Sequence, residues 1–359
     1  MNERGSFKNK IIDKYIGIPA LLFLSLFKKR KSLPENIQSA AIIITPAIGD
    51  TLLLQPLLRS LKKQRIKVTL FAPKSTISTA ELTDYYDEIK EISYFSPYST
   101  IKEIRKEKFD IFIDAGQWTR LSSILTYFSK SKYKIGFKTK GQAKHFIFDK
   151  QVEHSNKIHE VYNLFNLNVK TDEEIIFPKI TLDNIKTEKN KIVLHLKPGG
   201  YLSYLKELPG EYAEKVIRYL LSRGYSIYLT GSKDDYIDLS KIAGKFDREK
   251  IFNVAGKLNI KETAELIASS FLVVSVNTGI MHLASALQVN LIAIHGPTNS
   301  LRWGPLNKNS IIINSTYASA PCLNLGFEYN CKDRTGECMK TIRPEIIINA
   351  INKFIDTQK

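Results

Sequence analysis

The chain contains 359 residues, of which 43% are hydrophobic and 25% are charged. These proportions are typical of a globular protein and exclude a disordered, collagen-like or small disulfide-rich chain. The length favours two domains, at about 150 residues for each domain. The 53 lysine and arginine residues outnumber the 36 acidic residues, so the net charge is +17. This excess favours an anionic partner: a nucleic acid, a phosphorylated substrate or an anionic membrane surface.

The N-terminal segment 1–36 combines an apolar stretch with a basic cluster. Residues 15–27 read YIGIPALLFLSLF, and the four residues 28–31 that follow are all basic. The apolar stretch is shorter than the ~18 residues that suggest a membrane-spanning helix, and no small-residue cleavage site of a signal peptide follows it. Two interpretations remain open: a helix packed on the core, or an interfacial anchor that binds anionic lipid. We expect peripheral attachment at the cytoplasmic face of a membrane.

Apolar runs alternate with helical segments over residues 37–180 and predict a first domain. Helices are predicted at about 50–64 and 118–129, and a further helix after the second strand. Strands alternating with helices at this spacing indicate βαβ units and a parallel sheet. The predicted strands lie at 40–45, 67–72, 89–94 and 109–115.

The charged stretch 170–191 interrupts this pattern and predicts an interdomain linker, after which the alternation resumes over 190–359. Two successive units of this kind predict two Rossmann-like domains with parallel sheets that face each other across a cleft. Ligands bind such sheets outside the carboxyl ends of the strands. The predicted strands of the second domain are 192–196, 225–230, 271–276 and 290–295, and its predicted helices are 210–223, a helix from about 234, and 280–287.

The first candidate site is the segment ITPAIGDTLLLQP at 44–56, where a strand ends and a helix begins. Gly49 shapes the turn, and Asp50 follows it. Aspartate is a favoured helix N-cap, so capping alone explains Asp50 equally well. Alternatively, Asp50 lies at the carboxyl end of the strand, where its carboxylate can act as a general base.

The second candidate is the segment SVNTGIMHLASA at 275–286, in which Asn277, Thr278 and Gly279 join an apolar strand to a helix. The amides of a first helical turn and the positive end of the helix dipole form an anion site. Gly279 permits close approach of a phosphate, and Thr278 adds a hydroxyl donor. His282 lies close enough to face the same ligand, although a histidine satisfied inside the core is the alternative.

Three further glycine turns follow predicted strands. Gly199 and Gly200 form a loop that can approach phosphates, and Lys206 offers a cation beside it. Gly231 and the Gly296-Pro297 turn close two other strands on the same side of the sheet. Turn formation alone accounts for these glycines equally well, and a single lysine is more often solvated.

Several familiar signatures are missing from the sequence: a Walker loop, GxGxxG, HExxH and GxSxG. The three cysteines, Cys322, Cys331 and Cys338, do not have the spacing of a zinc site, and three thiols leave a closed site one ligand short. We therefore predict no metal and interpret the cysteines as packing residues or an adventitious bridge. Their small, odd number indicates a reducing compartment.

Two segments together resemble glycosyltransferase family 9, the ADP-heptose:lipopolysaccharide heptosyltransferases and their relatives. The first is IGDTLLLQPLLRSLK at 48–62, and the second is VNTGIMHLASALQVNLIAIHGPT at 276–298. The lysine-x-x-proline element of the family is matched by Lys206 and Pro209. The segments DKYIGIPALLFL and CMKTIRPEII also resemble the family, so the similarity extends over nearly the whole chain.

The resemblance implies the GT-B fold, with an acceptor-side domain over 37–180, a nucleotide-sugar domain over 190–359, and a C-terminal helix that packs back on the first domain. It implies an inverting sugar transfer that needs no metal, with Asp50 as the base. Donor contacts are implied for Gly49 and Leu258, and for the candidate residues Gly200, Lys206, Gly231, Asn277, Thr278, Gly279 and His282. The implied donor is a nucleoside-diphosphate sugar such as ADP-heptose, and the acceptor is a lipid A–core glycan at the inner membrane.

The sequence departs from the family pattern at Asn277, where the family has an aspartate, and in the stretch 201–205, which lacks a pair of threonines. Two alternatives to a heptosyltransferase therefore remain. One is a transferase that uses another nucleotide sugar for a different surface glycan. The other is a basic membrane- or nucleic-acid-binding module without catalysis. No nucleic-acid motif supports the latter, and we predict no nucleic-acid partner.

Overall fold

The structure is a computed structural model that describes residues 7–45, 47–170, 173–200, 202–247, 249–323, 331 and 334–357. The chain forms two compact units, and the boundary between them lies at Pro178 and Lys179. This boundary falls in the charged stretch 170–191. No helix or strand is present in its described part before residue 188.

The first unit is built from alternating helices and strands, as the apolar pattern predicts. A short 3-10 turn at Lys144–Ile147 precedes its last strand. Its described helices are α1 (Phe7–Tyr15), α2 (Gly17–Ser25), α3 (Ile48–Leu53), α4 (Gln55–Lys63), α5 (Lys74–Ala80), α6 (Pro97–Ile104), α7 (Arg120–Tyr127) and α8 (Glu160–Phe165). Its strands are β1 (Ser39–Ile43), β2 (Lys67–Pro73), β3 (Glu88–Ile92), β4 (Ile111–Asp114), β5 (Tyr133–Lys138) and β6 (Lys150–Glu153).

All neighbouring strands of this unit are parallel, in the order β3-β2-β1-β4-β5-β6. This is the strand order of doubly wound nucleotide-binding folds, with a reversal between β1 and β4. The central strand β4 is buried along its whole length, because a parallel sheet is covered by helices on both faces. Phe71, Phe109 and Phe112 pack their rings together in this core.

The N-terminal helices α1 and α2 pack on the first unit through one face. Leu21 is fully buried against Ile147 and Phe148. The carboxylate of Asp13 accepts hydrogen bonds from the backbone amides of Arg120 and Leu121 at the start of α7. A carboxylate at a helix N-terminus satisfies free amides and favours the helix dipole, so this contact fixes α1 on α7.

The opposite face of the same segment is apolar and exposed. Exposed large side chains in this region include Tyr15, Ile16, Leu22, Phe23, Leu26 and Phe27. One face of the apolar stretch therefore belongs to the core, as the first interpretation predicts, and the other face is uncovered. Lipid binding by the uncovered face stays a prediction. In the described part of the chain, no helix has the length and apolar character needed to cross a membrane.

The second unit repeats the architecture of the first. It also contains short 3-10 turns at Ser203–Lys206 and Lys233–Asp235. Its described helices are α9 (Gly210–Ser222), α10 (Tyr236–Ala243), α11 (Ile260–Ala268), α12 (Gly279–Ala286), α13 (Ser300–Trp303), α14 (Glu337–Lys340) and α15 (Pro344–Asp356). Its strands are β7 (Glu188–His195), β8 (Ser226–Leu229), β9 (Ile251–Asn253), β10 (Ser270–Val276), β11 (Leu291–His295) and β12 (Ser310–Asn314).

The second sheet is also parallel throughout, with the order β12-β11-β10-β7-β8-β9. The fold prediction of two parallel Rossmann-like α/β units is confirmed. The C-terminal helix α15 contacts α9, β11 and β12 of this second unit. Its buried face, which includes Ile347 and Ile351, belongs to the core of the second unit. The expectation that it also packs back on the first domain stays a prediction.

Four strands were missed by the sequence pattern: β5, β6, β9 and β12. The first two carry lysines in a buried or half-buried setting, as at Lys134 and Lys150, so they do not read as apolar runs. Strand β9 has three residues, which are too few to show an apolar pattern in the sequence. The helix predicted at 50–64 is two helices, α3 and α4.

The end of strand β7 carries a buried histidine that makes the stability of the fold pH-dependent. Burial of the His195 ring lowers its pKa to about 4, and its Nδ1 lies 3.0 Å from Thr230 Oγ1. In the unfolded chain the histidine has a pKa of about 6.5, so between pH 6.5 and 4 it binds a proton that the buried ring of the folded protein does not bind. The resulting stability is complete above pH ~6.5 and is lost as the pH falls towards 4.

We predict that His195→Asn makes the free energy of unfolding less dependent on pH between 6.5 and 4. The slope decreases by up to about 1.4 kcal/mol per pH unit, the value for one proton. Urea denaturation at a series of pH values measures this slope for both proteins. Parallel curves for the two proteins would contradict the assignment of a neutral, buried His195.

Candidate active site

The carboxyl ends of β1 and β4 meet at the point where the strand order of the first sheet reverses. Ligands of doubly wound sheets bind in the crevice at such a point. Strand β1 leads into α3, which carries Gly49 and Asp50, and strand β4 leads into Gly116 and Gln117. Two segments 67 residues apart are therefore brought together at this end of the sheet.

Asp50 is not a helix N-cap. The N-cap of α3 is Ala47, and Asp50 lies within the first turn, half-buried. Its Oδ1 accepts a hydrogen bond of 2.9 Å from Nε2 of Gln117. The interpretation of Asp50 as an N-cap is therefore wrong, because Ala47 occupies that position. The Asp50 carboxylate is instead bonded to a side chain from the segment that follows β4. Gly49 is buried in the same turn.

In the second unit, strands β7 and β10 are adjacent at the corresponding reversal of strand order. Strand β10 leads directly into Thr278, the N-cap of α12, whose side chain accepts a hydrogen bond from the amide of Ile280. Gly279 is the first residue of α12, and His282 is buried one turn further on. A helix that begins at a strand end in this way offers its first amides to an anion.

Asn277, which follows β10, is bonded to the last residue of α13. Its Nδ2 donates a hydrogen bond of 3.1 Å to the carbonyl oxygen of Trp303. A carboxylate at this position has no proton to donate at neutral pH. The amide therefore gives the chain a contact that the aspartate of the family motif cannot make with the same carbonyl.

The loop that follows β7 contains Gly199 and Gly200. Gly200 has a left-handed backbone with φ of +98°, and a Cβ added at either glycine meets no atom within 4 Å. The space beside both residues is open, which suits close approach of a ligand to the backbone. Lys206 ends the following 3-10 turn and is half-buried.

Two other predicted donor residues lie in the same unit. A Cβ at Gly231 would lie 3.0 Å from Cβ of Asp235, and the Asp235 carboxylate accepts from the amide and hydroxyl of Ser232. Gly231 therefore also has a local packing role. Leu258 is half-buried and immediately precedes Asn259, the N-cap of α11.

The three cysteines lie near one another in the second unit with free thiols. Burial raises the pKa of Cys322 to about 12 and that of Cys338 to about 11. Among the residues with described positions, no group of three or more histidine, cysteine or acidic side chains is arranged to hold a metal ion. The prediction of a metal-free site is not tested by this observation and stays a prediction.

Sequence reasoning missed Gln117 and the buried groups behind it. Asp114 ends β4, and its carboxylate lies 3.3 Å from Nζ of Lys144, with both side chains fully buried. The segment FDIFIDA at 109–115 is predicted as a strand, and the polar GQ pair that follows it directly is assigned no role. The position of this pair after a buried strand is the signal that could have identified it.

Two successive units with this strand order and these polar strand ends define the GT-B class of fold. The chain belongs to glycosyltransferase family 9 (heptosyltransferase), whose family model matches residues 98–332, more than half of the chain. The resemblance drawn from the sequence motifs is thereby confirmed.

Curated relatives include several heptosyltransferases. Lipooligosaccharide heptosyltransferase 2 of Campylobacter jejuni is 24% identical over 86% of this chain and 96% of its own length. Lipopolysaccharide heptosyltransferase 3 of Escherichia coli K12 is 25% identical over 73% of this chain and 84% of its own. The chain spans about half the length of the lipooligosaccharide heptosyltransferase 2 proteins of Haemophilus ducreyi and Haemophilus influenzae, with 49% and 46% covered.

Solved structures share the fold. ADP-heptose LPS heptosyltransferase II of E. coli has a TM-score of 0.74 at 16% identity and covers 89% of this chain and 99% of its own. Heptosyltransferase WaaC of E. coli with ADP has a TM-score of 0.68 at 18% identity and covers 88% of this chain and 100% of its own.

We predict that Asn277→Asp lowers the free energy of unfolding by about 1–3 kcal/mol, the cost of losing a hydrogen bond and leaving the Trp303 carbonyl without its donor. Chemical denaturation measures the change. Asn190→Asp is the matched control, because it introduces the same charge at an exposed position. Equal stability of the two variants would show that the contact of Asn277 with Trp303 contributes nothing.

Proposed function

We propose that this protein transfers heptose, with inversion, from ADP-heptose to a lipid A–core acceptor of lipopolysaccharide. Membership of the family supports the reaction class. The observation that carries the proposal is the position of Asp50, half-buried at the strand-order reversal of the first sheet and hydrogen-bonded by Gln117. An inverting transfer needs one base that removes the proton of the acceptor hydroxyl, and a positioned carboxylate meets that need.

The second unit supplies the donor site of the proposal. The first amides of α12 at Thr278 and Gly279, the open backbone at Gly199 and Gly200, and the cation of Lys206 would bind the diphosphate. Charge develops on the leaving nucleoside diphosphate during transfer, and fixed amide donors and a cation stabilise it. Gly231, Leu258, Asn277 and His282 are proposed as further donor contacts. With these groups the reaction needs no metal.

We predict that Asp50→Asn lowers kcat at least about 100-fold, because the amide cannot accept the acceptor's proton. ADP release is measured with ADP-heptose and a purified lipid A–core acceptor that lacks the terminal heptose, and NMR of the product reports the anomeric configuration. Activity in excess EDTA is expected to equal that without it. The variant is expected to retain ADP affinity in a thermal shift assay, because the residues proposed to bind the diphosphate lie in the second unit.

Three results would change the proposal. Full activity of Asp50→Asn would remove Asp50 as the base. Stabilisation by UDP, GDP or CMP in preference to ADP would replace heptose by another sugar and keep the transferase. If no nucleotide binds and a labelled oligonucleotide binds with a steep salt dependence, the chain is a basic binding module instead.

The proposal includes peripheral binding at the cytoplasmic face of the inner membrane, where a lipid-linked acceptor is available. The exposed apolar face of α1 and α2 would enter the headgroup region, and the basic residues after it would lie on anionic lipid. Only three of the four basic residues serve this purpose. Lys28 is paired with Asp149 at 2.6 Å, and its side chain is 7% exposed, whereas Lys29, Arg30 and Lys31 are exposed.

We predict that replacing Lys29, Arg30 and Lys31 together by glutamate weakens binding to vesicles containing phosphatidylglycerol by about 100-fold or more. Each basic residue near an anionic surface contributes about 1 kcal/mol. Co-sedimentation with these vesicles and with pure phosphatidylcholine vesicles measures the loss.

The matched control replaces Lys215, Lys250 and Lys261 by glutamate. These residues are exposed in the second unit, and the change in net charge is identical. An equal loss of vesicle binding in both triple variants would show that the effect comes from the net charge and not from the position of residues 29–31. A separate Phe23→Ser and Phe27→Ser variant is expected to weaken binding to both kinds of vesicle, because it removes apolar surface from the exposed face.

A further inference from the structure

The residues behind Asp50 form a connected polar group inside the first unit. Asp114 Oδ2 accepts a hydrogen bond from Ser122 Oγ at 3.0 Å and another from Ser123 Oγ. Its Oδ1 accepts from the backbone amide of Gly116 at 2.9 Å. Lys144, which is fully buried, donates to the carbonyl oxygen of Gly116 and lies 3.3 Å from the Asp114 carboxylate.

This group holds the backbone of Gly116 from both sides. Its amide is bonded to Asp114 and its carbonyl to Lys144. A Cβ at this position would lie 2.7 Å from Ser122 Oγ and 2.9 Å from Asp114 Oδ1, so a side chain there would displace both contacts. The backbone that leads into Gln117 is therefore held by two buried side chains, of Asp114 and Lys144. The hydroxyls of Ser122 and Ser123 in turn hold the Asp114 carboxylate.

Gln117 links this fixed backbone to the carboxylate of Asp50. Its side chain is buried, with 1% of the residue exposed, and Nε2 donates to Asp50 Oδ1 at 2.9 Å. Buried polar groups with satisfied hydrogen bonds adopt one arrangement, because any other leaves a donor or acceptor unpaired. The hydrogen bond from the buried Gln117 side chain therefore orients the Asp50 carboxylate.

We propose that Gln117 is a positioning residue for the transfer reaction, which holds the Asp50 carboxylate in the orientation that accepts the proton of the acceptor hydroxyl. The inference rests on the proposed role of Asp50 as the base. A neutral amide suits this task, since a cation in its place would stabilise the carboxylate and weaken it as a base. The buried cation of Lys144 is paired with Asp114.

The first test is Gln117→Met, which keeps the length of the side chain and removes the donor. We expect kcat to fall about 10- to 100-fold, the effect of a mispositioned reacting group, while the KM for ADP-heptose and the affinity for ADP stay within about twofold of the wild type. Gln142→Met is the matched control. Gln142 is also a buried glutamine of the first unit, and its amide atoms have no hydrogen-bond partner among the described residues.

The second test is Gln117→Glu, which is nearly isosteric with the wild-type residue and is therefore expected to fold even if the methionine variant does not. When the introduced carboxyl group holds a proton, it donates to Asp50 as the amide does. When that proton leaves, two like charges face each other and the orientation is lost. We expect the kcat of this variant to fall as the pH rises, a limb that the wild type and Gln142→Met do not show. A purely structural role for Gln117 gives a decrease that is independent of pH.

The outcomes separate this inference from the proposed function. Wild-type kcat in Gln117→Met, or a pH-independent decrease in Gln117→Glu, overturns the positioning role while Asp50→Asn still shows whether Asp50 is the base. Full activity in Asp50→Asn overturns both. Loss of kcat in Gln117→Met together with the new limb in Gln117→Glu supports the inference.

Discussion

The reversal of strand order in each parallel sheet is the constraint on which the candidate site depends. Parallel strands joined by helical crossovers place all of their carboxyl ends on one edge, and the reversal opens a crevice there. In the first unit this crevice lies between the ends of β1 and β4 and contains Asp50 and Gln117. In the second unit the corresponding ends, of β7 and β10, lead to Gly200 and to Thr278.

Polar groups buried at these strand ends are costly to the fold, which indicates that they serve position more than stability. Removing two charges from water costs several kcal/mol for each ion, and an apolar pair of similar volume is often as stable. Asp114 and Lys144 are nonetheless fully buried, and burial lowers the pKa of Lys144 against the opposing effect of Asp114. Their hydrogen bonds to the amide and the carbonyl of Gly116 fix the course of the backbone there.

The N-terminal helix pair shows how one short segment serves two surfaces. Leu21 and Asp13 attach it to the first unit, one by apolar burial and the other by hydrogen bonds to the start of α7. The remaining aromatic and aliphatic side chains stay exposed. Because one face of the segment is packed on the first unit, the exposed face points away from that contact.

The amino-acid sequence by itself determined the alternation of strands and helices, the two Rossmann-like units and the positions of Asp50 and Thr278 at strand ends. Those features follow from local apolar patterns, since a buried run or a turn is encoded by neighbouring residues. Strands that carry lysines, such as β5, gave no such pattern. Only the tertiary structure decided which partner each polar side chain meets: Asp50 with Gln117, 67 residues away, and Asn277 with the Trp303 carbonyl, 26 residues away. These pairs depend on strand order and on helix packing, which bring distant segments together. The local sequence can mark a polar residue at a strand end, but it does not specify the partner of that residue.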